Sequence, residues 1–197
     1  MSCVAVRKYD DRIIMTSDSI IGIDNEFNGC GCEKALTPGC EYKLVKFKTT
    51  SGHSVMIGCV GLYDEMQMFV EFTKKHIDAL YENDDIRKID ILKLVKSVKE
   101  EMKEYTDVIL APSDSTQNCD YIIALDTDRG LKCFAINFRA VFEIQDYFAI
   151  GAGKQFALGA LSVGATTVQA VESACKYSIY CSAPIKTEIL TRSNKED

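Results

Sequence analysis

The chain has 197 residues, a net charge of −6, 47% hydrophobic and 26% charged residues. This is the composition of one ordinary globular domain, long enough to bury roughly 70% of its unfolded surface without staples. No basic patch stands out, which argues against nucleic acid as a partner. No apolar run reaches the ~18 residues of a bilayer span, and the N-terminus lacks a secretory pattern. A soluble, cytoplasmic protein that binds neither nucleic acid nor membrane is expected.

The first eighteen residues read as a β-hairpin, with Val4 to Val6 and Ile13 to Met15 flanking the polar turn Arg7 to Arg12. Ser19 to Glu41, rich in Gly, Asn and Cys, reads as a long loop. Tyr42 to Phe47 is an expected strand, and Ser54 to Val60 a buried one ending in Gly58-Cys59-Val60-Gly61. Leu62 to Tyr81 and Ile86 to Tyr105 carry apolar residues at helical spacing. Tyr121 to Asp126, Leu131 to Asn137 and Val141 to Ile150 follow as strands, the first two joined by a hairpin turn at Gly130. Gln155 to Val163 and Val168 to Tyr180 are further helices, with Thr166 or Thr167 able to cap the second. Ile185 to Thr191 is the last strand, and residues 192–197 form a charged tail after a single domain over 1–191. Grouped strands and paired helices predict an α+β layered fold, two sheets face to face with a helix pair on each outer side.

There are nine cysteines, an odd number, mostly inside apolar runs. They read as small buried hydrophobes. Cys30, Cys32 and Cys40 do not complete a zinc set, because His53 and His76 fall at no finger spacing. No metal and no cofactor are expected.

Chemistry concentrates near the hairpin. Removal of Met1, which the small Ser2 permits, leaves a hydroxyl and a free α-amine on one residue. An α-amine has a reference pKa of about 8 and can serve as base for its own side chain. Asp18 ends the second strand, opposite the N-terminus. Lys43 on the next strand would lower a hydroxyl's pKa and steer a proton. Gly58 and Gly61 could bring backbone N–H groups close to a substrate, as an oxyanion hole requires, or simply turn a tight corner.

The hairpin with Asp18, the Lys43 strand, Gly58-Cys59-Val60-Gly61, Ala149-Ile150-Gly151-Ala152-Gly153 with Phe156-Ala157-Leu158-Gly159, and Ala170-Val171-Glu172 running to Tyr180 recur in that order in one family. The chain resembles the proteasome β-subunit family, including the HslV peptidase and its relative Anbu. The resemblance implies a four-layer αββα sandwich of the N-terminal-nucleophile hydrolase type. It also implies stacked homo-oligomeric rings and threonine- or serine-type hydrolysis of unfolded polypeptide inside a chamber, fed by an ATPase unfoldase ring. By the same resemblance, Asp18 and Lys43 match the family's catalytic aspartate and lysine, and Gly58 its oxyanion glycine.

The departures concern the N-terminus, the strand-to-helix turn and the end of the last helix. The family begins with Thr. Aligning Val4 to Val6 puts Met1 at the nucleophile position, whereas counting back from Asp18 puts Ser2 there. The family's Ser in the strand-to-helix turn is Ala152. Its Asp-x-Tyr-Ser-Gly corresponds to Ser178-Ile179-Tyr180-Cys181-Ser182. Two functions follow: a peptidase with Ser2 as nucleophile, or a catalytically inactive ring-forming subunit serving structure or binding.

Overall fold

The structure, a computed structural model, describes residues 2–19, 21–23, 33–35, 42–82, 85–109, 119–137 and 140–192, with backbone alone at 21–23, 33–35 and 106–109. Most of the Ser19 to Glu41 loop, Cys30, Cys32, Cys40 and the tail from 193 lie outside the described residues.

The N-terminal hairpin is β1 (Cys3–Lys8) and β2 (Arg12–Asp18), and the last strand, β11 (Ile185–Thr191), pairs with β2. Two short strands within the long loop, β3 (Ile21–Ile23) and β4 (Glu33–Ala35), pair with each other. A second sheet is built from β5 (Leu44–Lys48), β6 (Ser54–Val60), β7 (Asp120–Thr127), β8 (Gly130–Asn137) and β9 (Ala140–Glu143), in that spatial order. The next strand, β10 (Tyr147–Gly151), belongs to the first sheet, whose order is β10-β1-β2-β11. Helices α1 (Tyr63–His76) and α2 (Lys88–Ile109) pack on the second sheet. Helices α3 (Lys154–Ser162) and α4 (Thr167–Tyr177) pack on the first. The result is the expected α+β arrangement of two antiparallel sheets between helix pairs.

Both faces of each sheet are covered, so the apolar runs have work on both sides. Val4, Val6, Ile13 and Met15 meet Leu44, Met56, Ile122 and Cys133 between the sheets. Strand alternation turns Cys3 and Ala5 to the opposite face. There they pack on Ala157, Ala170, Val171 and Ala174. These small side chains let α3 and α4 lie close to β1.

Several boundaries differ from the sequence reading, three of them with a clear physical reason. The helix expected over Leu62 to Tyr81 ends at His76 and continues as a 3-10 turn, Ile77–Glu82. Ile77 and Leu80, three residues apart, are both buried there, a spacing the tighter helix aligns. The strand expected over Val141 to Ile150 is two strands. The chain leaves the edge of one sheet for the edge of the other, and the Ile144 N–H donating to Cys133 O at 2.8 Å marks the departure. Helix α4 stops at Tyr177 because Ser178 is extended (φ −105°, ψ 125°). Thr166 caps its start, in a capping box with Gln169.

Candidate functional site

The hairpin register pairs Val4 with Ser17, so Cys3 faces Asp18 across the ladder. Asp18 ends β2 on the face covered by α4 and is fully buried. A buried carboxylate needs partners for each lone pair it keeps from water, and Asp18 has three. Its Oδ1 accepts from the Cys3 N–H at 3.0 Å and from Lys43 Nζ at 3.0 Å. Its Oδ2 accepts from the Ser182 N–H at 3.3 Å. The Cys3 and Ser182 donors left no signal in the sequence, because any residue's amide serves.

Lys43 is 1% exposed and lies in the turn just before β5 rather than on the strand. Its carbonyl accepts from the Cys59 N–H at 2.8 Å, and the next carbonyl, Leu44 O, accepts from Lys186 Nζ at 2.8 Å. Those bonds fix the backbone that aims the ammonium at Asp18. The ion pair joins the end of β2 to the turn before β5, in a region closed to water.

Ser2 lies one residue ahead of β1 and is 2% exposed. Its carbonyl accepts from the Gly153 N–H at 3.2 Å. Gly151 passes so close that a Cβ there would sit 2.3 Å from Ser2 O, at a φ of +93° that glycine tolerates. The β10–α3 turn thus clamps the residue that would bear the nucleophile, leaving no room for a side chain at Gly151.

Gly58 is placed differently from Asp18 and Lys43. Cys59 and Lys43 form a hydrogen-bonded pair, so the alternating antiparallel pattern directs the Gly58 N–H toward Ile122 on β7. A Cβ on Gly58 would lie 2.5 Å from Met15 Sδ and 2.8 Å from Val4 Cγ1. Gly58 lets the two sheets close, and its amide is engaged in the ladder. Gly61, just past the end of β6, has φ +143° and packs on Cys119, whose Sγ a Cβ would meet at 2.1 Å.

Ala152, Ser178 and Cys181, which depart from the pattern the chain resembles, lie around this cluster. Ala152 is in the turn that clamps Ser2. Ser178 ends α4, and its Oγ accepts from the Tyr180 N–H at 3.2 Å. Cys181 is buried between Cys3 and α4. Its thiol is held below the ordinary range by the Cys3 S–H bonded to it, by Ser178 and by Lys43, against the push of burial and Asp18. Cys175 on α4 is pushed up to about 12 by burial, with Asp18 adding to it.

Compared with known proteins, the chain matches no protein-family model and no curated protein. Its fold is nevertheless shared with solved structures. A BPH of Thiobacillus denitrificans, determined in complex with epoxomicin, is 19% identical with a TM-score of 0.63, over 97% of this chain and 99% of that one. Anbu from Pseudomonas aeruginosa, described as a helical assembly, is 14% identical with a TM-score of 0.69, over 97% and 81%. HslV from Trypanosoma brucei is 16% identical with a TM-score of 0.64, over 96% and 99%. The fold is that of the proteasome-type N-terminal-nucleophile hydrolases.

Proposed function

We propose, from a fold shared with proteasome-type N-terminal-nucleophile hydrolases, that this chain is a peptidase subunit whose nucleophile is Ser2 once Met1 has been removed. The observation that carries the reading is the buried Asp18–Lys43 ion pair, tied through the Cys3 N–H to the residue after Ser2. An ion pair closed off from water is expensive to maintain and a weak source of stability. Its position beside the N-terminus suits catalysis.

In this reading the free α-amine of Ser2 takes the proton of its own hydroxyl as Oγ attacks a peptide carbonyl. The amine then hands that proton to the departing amine. Water hydrolyses the resulting ester by the same route. Lys43, held by Asp18, supplies the positive charge that favours the attacking alkoxide. With the Gly58 N–H directed along the β-ladder, Gly61, just past the end of β6, is taken as the oxyanion donor in this reading. Homo-oligomeric rings enclosing the site, unfolded polypeptide as substrate and an ATPase ring as feeder complete the proposal. The helical assembly of the Pseudomonas Anbu supports subunit association.

The second reading, an inactive ring-forming subunit, draws on the burial of Ser2 and the mutual satisfaction of Asp18 and Lys43. Peptide hydrolysis by the wild type, Ser2→Ala and Lys43→Ala separates the two. The proposal expects both variants to lose about 10²-fold or more of the rate, the scale of a positioned proton-transfer group. Equal rates in all three remove both residues from the mechanism. Epoxomicin, present in the Thiobacillus structure, gives a second readout: the wild type is expected to bind it and Ser2→Ala is not.

A further inference from the structure

Two buried thiols meet beside the Asp18–Lys43 pair, and the hydrolysis described above uses neither. Cys3 and Cys181 are buried in one packing cluster. Both side chains fill the space that Gly153 leaves open, where a Cβ would sit 2.6 Å from Cys181 Sγ and 3.0 Å from Cys3 Cβ. The backbones that carry them are pinned to one carboxylate. Cys3 N–H binds Asp18 Oδ1, and the amide following Cys181, that of Ser182, binds Oδ2. Strand β1 and the segment after α4 are therefore held side by side, with both cysteines packed around Gly153. Disulfide formation asks for Cβ atoms about 3.5–4.5 Å apart and little backbone movement, and this arrangement meets the second demand through Asp18.

We propose that Cys3 and Cys181 are an oxidation site, at which hydrogen peroxide joins them in a disulfide that staples β1 to the segment after α4. The inference stands apart from the hydrolytic reading, because it rests on the thiols alone. Cys181 sulfur attacks a peroxide oxygen, the O–O bond breaks, and the departing hydroxide takes up the thiol proton as water. Cys181 is then a sulfenic acid. Cys3 sulfur attacks Cys181 sulfur, the S–O bond breaks, and hydroxide leaves with the Cys3 proton as a second water. Two thiols are oxidised and one hydrogen peroxide is reduced.

Position orders the two steps. Cys3 is fully buried on β1 and resolves, whereas Cys181 lies next to the exposed Ile179 and Tyr180, the side from which a small oxidant arrives, and attacks first. Cys59 and Cys133, equally buried, sit in the second sheet and belong to other packing clusters.

The test treats the folded, full-length chain with hydrogen peroxide, blocks free thiols by alkylation and maps unreduced peptides by mass spectrometry. The expected product is a Cys3–Cys181 linked peptide, lighter by two hydrogens than its parts and released by a thiol reductant. Cys181→Ala is expected to abolish it, and Cys175→Ala to leave its yield unchanged. Cys3 and Cys181 both recovered as free thiols would overturn the proposal. So would Cys181 over-oxidised without a link, or joined to Cys175.

Discussion

Asp18 and Lys43 are the residues on which the account turns, and their energetics are predictable. A buried pair with good geometry contributes little net stability, but removing one partner strands a charge. Asp18→Ala leaves the Lys43 ammonium without the carboxylate that lies 3.0 Å away. It also frees the Cys3 and Ser182 amides. A loss of about 3–5 kcal/mol in urea unfolding is expected. The double variant Asp18→Leu with Lys43→Met is expected to lose less than the sum of its single variants, because the two side chains are in direct contact and share one interaction. Additive losses would mean that the two side chains act independently.

At the scale of elements, the distance between the sheets is set by small residues. Gly58→Ala forces Met15 and Val4 apart, and overpacking of this kind costs about 1–3 kcal/mol. The expected outcome is a lower thermal midpoint with the secondary structure retained. Helix α4 carries Cys175 and the small residues that pack on β1, and its start depends on Thr166. Thr166→Ala removes the capping box with Gln169 and is expected to cost about 1 kcal/mol by denaturant titration.

On the other side of the molecule, Glu101 on α2 accepts from Lys75 and His76 at the end of α1. These bonds hold its carboxyl below the usual range. A carboxylate whose pKa falls on folding stabilises the protein above its unfolded pKa, and the contribution is lost as pH falls through the folded value. Glu101→Gln is therefore expected to shift the unfolding midpoint at neutral pH and to have a vanishing effect in acid. An equal effect at both would remove the ionic contact as its cause.

For the whole molecule, the proposed rings predict that the purified chain elutes as a multiple of its 21.9 kDa mass, as light scattering would measure. A monomer at all concentrations would contradict enclosure of the site by rings. The layer order was legible in the sequence because hydrophobic periodicity separates helix from strand. So was the facing of Asp18 and the N-terminus, because a hairpin fixes what lies opposite. Three things were not legible. The split of Val141 to Ile150 depends on two sheet edges meeting in space. The engagement of Gly58 depends on which amide alternates toward which neighbour. The Cys3–Cys181 contact spans nearly the whole chain, and nothing local in either segment announces it. The Lys43 turn was read as strand because its apolar neighbours alternate, and one or two residues of boundary error are ordinary.

The whole account rests on whether Ser2 bears a free amine. The most direct measurement is the intact mass of the purified chain. The account predicts a species lighter than the encoded 197-residue chain by one methionine residue, beginning at Ser2. A chain that retains Met1 leaves Ser2 with an ordinary amide and no base, and contradicts the mechanism at its first step.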